Sequence, residues 1–142
     1  MKTIHKIIGD QAIHGHLLPR AVSELYAQVR DFSVAIDDDS GDILACGALH
    51  LVWEDLAEVR SLAVGSAFQN KGLGGRLVEA LLTESRQMEV NRVFVLTYRR
   101  TFFERLGFQI MDKGLLPHKI WADCIKCTKF PECDEIAMVK VL

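Results

Sequence analysis

The 142-residue sequence predicts an α/β domain, more narrowly α+β: a mixed, mostly antiparallel sheet with flanking helices. Three observations carry this. Apolar stretches between residues 32 and 64 alternate with turn-forming residues, as in an antiparallel meander. A buried strand, a glycine-rich loop and a helix of 3.6-residue period then follow in direct succession. The next stretch, Val93-Phe94-Val95-Leu96, is apolar on both faces, as expected of the strand that closes a right-handed parallel crossover.

Element by element, residues 3–8 read as a short strand, and Asp10 as the cap of a first helix running to about Leu18. Pro19-Arg20 breaks that helix before a second one, residues 22–29. Residues 32–36 and 43–52 form a hairpin across the turn Asp37-Asp38-Asp39-Ser40-Gly41, and residues 57–64 add a third strand. Leu73, Leu77, Val78, Leu81, Leu82 and Met88 line one face of the long helix, with Arg76, Glu79, Glu84, Arg86 and Gln87 on its remaining surface. A short helix over 101–106 ends at Gly107, and strands over 108–111 and 136–142 close the sheet.

Composition bounds the function. The length fits a single domain over residues 1–142, and 17 Lys+Arg against 19 Asp+Glu give a net charge of -2, which speaks against nucleic acid as a partner. Apolar runs fall short of the roughly 18 to 20 residues that cross a bilayer, so no membrane partner is expected. The N-terminal stretch lacks the apolar core and cleavage site of a secretory signal, which points to a cytoplasmic protein.

The loop Gly65-Ser66-Ala67-Phe68-Gln69-Asn70-Lys71-Gly72-Leu73-Gly74-Gly75 opens the long helix. Backbone N–H groups there can approach a phosphate, and the helix N-terminus adds about half a positive charge. The spacing is neither a Walker loop nor a dinucleotide fingerprint, and tight packing alone is the other reading of its glycines.

Gln69-Asn70-Lys71-Gly72-Leu73-Gly74 resembles the Gln/Arg-x-x-Gly-x-Gly/Ala signature of the GNAT superfamily of acyl-CoA-dependent N-acyltransferases. Arg60-Ser61-Leu62-Ala63-Val64 before it, and Phe102-Phe103-Glu104-Arg105-Leu106-Gly107-Phe108 after it, resemble that family's other two motifs in the expected order. The resemblance implies a GNAT-type sheet with a splayed acetyl-CoA cleft and acetyl-CoA as co-substrate. Pantetheine would pair with the strand at Leu62, Ala63 and Val64, and the pyrophosphate would sit on Gln69, Asn70, Lys71, Gly72, Leu73, Gly74 and Gly75. Within the superfamily, Ala57-Glu58-Val59-Arg60-Ser61-Leu62-Ala63-Val64, Val93-Phe94-Val95-Leu96-Thr97-Tyr98-Arg99 and Leu17-Leu18-Pro19-Arg20 are similar to stretches of the acetyltransferase domain of N-acetylglutamate synthases. That likeness implies a stand-alone short form without their amino-acid-kinase domain.

Acetyl transfer to an amine needs a base, an oxyanion donor and a proton for the leaving thiolate. The resemblance makes Glu58 the base, acting through water, and gives the oxyanion to backbone N–H groups near Leu62. The residues alone also allow Glu58 and Arg60 as a solvent-facing strand pair. Many family members carry a tyrosine for the thiolate where this chain has Phe103, which lies in the cofactor-binding segment; Thr97 or Tyr98 would donate instead. For the acceptor's α-carboxylate the resemblance points to Arg20, whose planar fork suits two oxygens and whose other reading is solvated surface. Arg60, Ser61, Arg99 and Lys119 are further candidates for binding the acceptor.

Cys124, Cys127 and Cys133 have C-x2-C-x5-C spacing, and His118, Asp123 or Asp134 would have to supply a fourth ligand. Plain packed thiols are the favoured reading, zinc or a redox pair the alternatives, so no metal is assigned. His5, His14, His16 and His50 show no metal spacing and receive no function. The expected activity is acetylation of the α-amine of a free amino acid, L-glutamate first, for arginine biosynthesis. The alternatives are another small amine, a protein N-terminus or a non-catalytic acyl-CoA-binding module. A homodimer through the C-terminal strand is a further expectation.

Overall fold

Ile4, Ile7, Ile8 and Gln11 recur at helical spacing, and in the computed structural model, which describes residues 1–13, 20–117 and 135–142, they form the buried stripe of helix α1 (Lys2–Ile13). The expected strand over 3–8 is therefore a helix, and Asp10 lies inside it rather than capping it. Isoleucine suits strands by propensity, but a stripe at i, i+3, i+4 and i+7 buries against a sheet only as a helix, and packing outweighs propensity. The expected continuation to Leu18 and the Pro19 break lie outside the described residues. Helix α2 (Val22–Ala27) is shorter than expected, and a 3-10 turn (Val29–Asp31) follows it.

The meander forms as expected: β1 (Phe32–Ile36), β2 (Ile43–Trp53) and β3 (Leu56–Val64) pair antiparallel in succession. The acidic turn between β1 and β2 has a local cause, since Asp37 Oδ1 accepts the N–H groups of Asp39 and Ser40 at 2.8 and 3.0 Å. Those bonds hold the Asp37 carboxyl below its ordinary range, the Ser40 N–H contributing most. Helix α3 (Leu73–Gln87) crosses from β3 to β4 (Arg92–Thr97), which lies parallel to β3. Helix α4 (Arg100–Arg105), β5 (Gln109–Met111) and β6 (Ile136–Val141) complete a six-stranded sheet in the order β1-β2-β3-β4-β6-β5.

Alternation along β3 divides the core. Ala57 and Val59 join Leu49, Val78, Leu81 and Phe103 under α3 and α4. On the opposite face, α1 and α2 cover Cys46 and Ala63, while Val52, Leu56, Phe94 and Leu116 form a separate cluster. Glu58 and Arg60 point to this second face between those two clusters, by the two-residue period of the strand.

Two irregularities open the sheet at its centre. Pairing between β3 and β4 covers only Ala57–Val93, Glu58–Phe94 and Val59–Val95, although β3 continues to Val64 and β4 to Thr97. Next to the last of these pairs, the β2 register places both Ser61 and Leu62 opposite Gly47, with Ser61 at φ 54°. This is a bulge, which bends and twists the strand that carries it. Gly47 makes room for it, since a Cβ there would lie 3.2 Å from Leu62 Cδ1 and 3.3 Å from Leu81 Cδ1. Past the bulge, β3 keeps β2 as its neighbour and leaves β4.

Candidate active site

Along the cleft between the diverging ends of β3 and β4, residues 60–64 of β3 have no β4 partner, and residues 96–97 of β4 have no β3 partner. An extended chain bearing amides can satisfy such an edge as an added strand would. The loop that leaves Val64 turns through a 3-10 segment (Ser66–Phe68), then Asn70 at φ 63° and Gly72 at φ 78°, and enters α3. Gly72 is the residue before the helix; its left-handed backbone explains the glycine, since a Cβ there would meet nothing.

The first intrahelical bond of α3 runs from the Arg76 N–H to the Gly72 carbonyl at 3.1 Å, so the N–H groups of Leu73, Gly74 and Gly75 have no partner in the helix. No side chain caps this end, and its first turn carries no acidic residue. A 15-residue helix that presents uncapped N–H groups and no carboxylate suits an anion, and the expected pyrophosphate fits that chemistry. Gly74 lies close to its neighbours: a Cβ would lie 3.3 Å from Phe102 Cζ and 3.7 Å from Val64 Cγ2. Lys71 Nζ stands 5.9 Å from the Phe68 ring centroid and adds positive charge to the loop.

Val64 ties the loop to the rest of the fold. Its carbonyl accepts a hydrogen bond from Gln11 Nε2 at 3.2 Å and another from Gln69 Nε2 at 3.4 Å. The first residue of the glycine-rich motif and a buried glutamine of α1 thus meet at the last residue of β3. Sequence reasoning missed Gln11 because it placed residue 11 in a different helix; the stripe through Ile4, Ile7 and Ile8 was the available signal.

On the face of β3 that Glu58 shares with Arg60, Arg60 Nε donates to Glu58 Oε1 at 2.5 Å, and both side chains are more than nine-tenths buried. The solvent-facing alternative is thus corrected: the two residues do pair, but inside the fold. A buried ion pair loses much of its attraction to desolvation, so its placement beside the cleft is better understood through chemistry than through stability. Across the gap, Thr97 is buried at the end of β4, and its Oγ1 accepts the Arg99 N–H at 2.9 Å. That bond uses a lone pair and leaves the hydroxyl proton to donate. Tyr98 beside it is half-buried.

Arg20 lies 3.8 Å from Glu24, one helical turn on, with about a third of its side chain exposed. Arg99 is exposed, its guanidinium 5.3 Å from the Phe102 ring centroid. The Phe103 ring is buried in the core in edge contact with Phe102 and Phe108, so it is Phe102 that lies against the loop at Gly74. Lys119, Cys124, Cys127 and Cys133 lie outside the described residues, as do His14 and His16. Among the described residues no cluster of His, Cys, Asp or Glu could hold a metal, and no helix is long and apolar enough to cross a membrane.

The profile of the acetyltransferase (GNAT) family matches residues 3–108. An uncharacterised N-acetyltransferase of Chlorobaculum tepidum is 44% identical over 139 residues, 98% of this chain and 88% of that protein. An amino-acid acetyltransferase of Mycobacterium tuberculosis is 43% identical over 93 residues, covering 65% of this chain and 53% of the relative. Among solved structures, N-acetylglutamate synthase from Neisseria gonorrhoeae, complexed with coenzyme A and N-acetyl-glutamate, matches the whole chain at a TM-score of 0.89 and 26% identity, over 32% of its own length. Rv2747 from Mycobacterium tuberculosis, complexed with CoA and a second ligand, matches 99% of this chain and 93% of its own at a TM-score of 0.84 and 29% identity. The chain thus spans about half of the mycobacterial amino-acid acetyltransferase and about a third of the Neisseria synthase.

Proposed function

The chain belongs to the acetyltransferase (GNAT) family and is an acetyl-CoA-dependent N-acetyltransferase, and from that premise we propose that its acceptor is the α-amine of a free amino acid, L-glutamate first. The observation that carries this reading is the buried Glu58–Arg60 pair on β3, beside the point where β3 and β4 part. It sets a carboxylate next to the cleft, with its charge compensated. The relatives named amino-acid acetyltransferase and the synthase bound to N-acetyl-glutamate support the acceptor. N-acetylglutamate made here would feed arginine biosynthesis.

Acetyl-CoA supplies the acyl group on a thioester, and the chain's own residues do the rest. The N–H groups at Leu73, Gly74 and Gly75 would hold the pyrophosphate, with Gln69, Asn70 and Lys71 beside them, and the open edge at Leu62, Ala63 and Val64 would take the pantetheine amides. Glu58 would receive the proton that the amine must lose, and Thr97 or Tyr98 would return one to the thiolate. Arg20 would take the α-carboxylate, and Arg60, Ser61, Arg99 and Lys119 are the groups from which the side-chain site would be drawn.

The test is thiol release from acetyl-CoA across the free amino acids and several polyamines, with mass detection of the product. Release with glutamate that yields N-acetylglutamate is the expected result. Release confined to another amine would leave the family assignment intact and overturn the acceptor.

A further inference from the structure

Glu58 has four neighbours on its own face of the sheet. Along β3 these are Leu56 and Arg60, two residues to either side; across the sheet, the register pairs Glu58 with Phe94 on β4 and with His50 on β2. Leucine and phenylalanine cannot carry a proton, and a guanidinium is already fully protonated. His50 is the one in-sheet neighbour that can accept one. Directly opposed cross-strand residues stand about 4.5–5.5 Å apart at Cβ, within reach of a glutamate and an imidazole.

His50 is also held from its other side. Its Nδ1 lies 2.7 Å from Asp31 Oδ2 on the far side from β3, and about a third of each side chain is exposed. An aspartate at Nδ1 favours the tautomer that carries its proton there and leaves Nε2 as an acceptor. Glu58, by contrast, is buried, paired with Arg60 and opposite Phe94 on β4. The helices packed on this face bury Ile4, Ile7, Ile8, Gln11 and Leu25, while Arg20 and Glu24 pair with each other.

We infer that His50, held by Asp31, is the proton outlet of the active site: Glu58 O–H gives its proton to His50 Nε2, and the imidazolium releases it to water. Glu58 returns to the carboxylate and His50 to the neutral ring: of the two protons that a substrate ammonium loses on becoming an amide, the first is exported by this route and the second, shed as the tetrahedral intermediate collapses, resupplies the donor that protonates the thiolate. The inference rests on Glu58 as the base. His50 and Asp31 need no contact with substrate; they reset the residue that does.

Two measurements separate this relay from the choice of acceptor. Without any acceptor, 15N shifts of the His50 ring should show the Nδ1–H tautomer in the wild type and lose that preference in Asp31→Asn. A wild-type ring protonated on Nε2 would overturn the relay whatever amine the enzyme uses. In turnover, with whichever amine the wild type acetylates, His50→Gln should lower kcat by about tenfold or more, the low end of acid–base contributions. It should leave the KM for acetyl-CoA within about twofold, and added imidazole should restore much of the rate to His50→Gly. Asp31→Asn, which keeps the imidazole, should give a smaller loss and a changed pH profile. A loss uniform in pH and insensitive to imidazole would reduce His50 to a packing residue and end the proposal. Silence with glutamate alongside these effects on another amine would instead refute the acceptor and leave the relay standing.

Discussion

Residues 57–59 of β3 are held by strands on both sides, whereas residues 60–64 are held on one, and the change occurs within a single bulge. The doubly paired part is buried and fixes Glu58. The singly paired part has spare backbone groups and ends at Val64, where α1 and the glycine-rich loop converge. In the proposed function one strand thus serves two needs that a regular strand would set against each other. Chemistry requires a side chain that does not move, and cofactor binding requires a backbone edge that is not already satisfied.

The sharpest way to break this comparison is to change each part and ask which function fails. Glu58→Gln keeps the side-chain shape and removes the proposed base, so kcat should fall by about 10²–10⁴ while acetyl-CoA affinity, read by calorimetry, stays within a few fold. A matched loss of affinity would mean that the two parts of β3 are not separable. Phe94→Ala empties the fully buried position beside Glu58 and should cost about 3–5 kcal/mol in urea unfolding. Gly74→Val works on the other part: it drives a side chain into Phe102 and Val64, should cost about 1–3 kcal/mol, and should raise the KM for acetyl-CoA more than it lowers kcat.

The two parts also differed in how far the sequence disclosed them. The strand–loop–helix succession and the crossover were legible because glycine placement and a 3.6-residue period are local properties, and α3 begins at Leu73 as its period required. Residues 3–8 were not, since β-branched isoleucines at helical spacing satisfy both templates until the sheet they pack on is known. The loop's approach to Phe102 and the bridge from Gln11 to Val64 span long sequence separations. The bulge was hidden for another reason: Ser61 adopts a positive φ that its residue type does not announce, and the close approach of Leu62 and Leu81 to Gly47 joins residues far apart in sequence. His50 had no partner in sequence spacing, yet the β2–β3 register sets it beside Glu58 and its side chain meets Asp31.

The smallest effect probes the joint itself. The Cys46 thiol is fully buried on β2 and donates to the Ser61 carbonyl at 3.5 Å, so it reports on the bulge from behind. Burial pushes this thiol up to about 12, against an opposing contribution from the Ala63 backbone. An acid whose folded value lies above its unfolded value stabilises the fold fully below the unfolded value, and that stabilisation is lost as pH rises toward the folded one. The window therefore opens near pH 9, where the unfolded thiol ionises while the folded one keeps its proton. By pH 10 the wild type should lose about 1 kcal/mol relative to neutral pH through this group alone. Urea unfolding of wild type and Cys46→Ala, under reducing conditions at pH 7, 9 and 10, isolates the contribution, because lysines and tyrosines cancel in the difference. The two stability curves should converge by that amount as pH rises. Parallel curves would mean that Cys46 ionises as readily inside the fold as outside, and that the bulge admits water where the packing shows none.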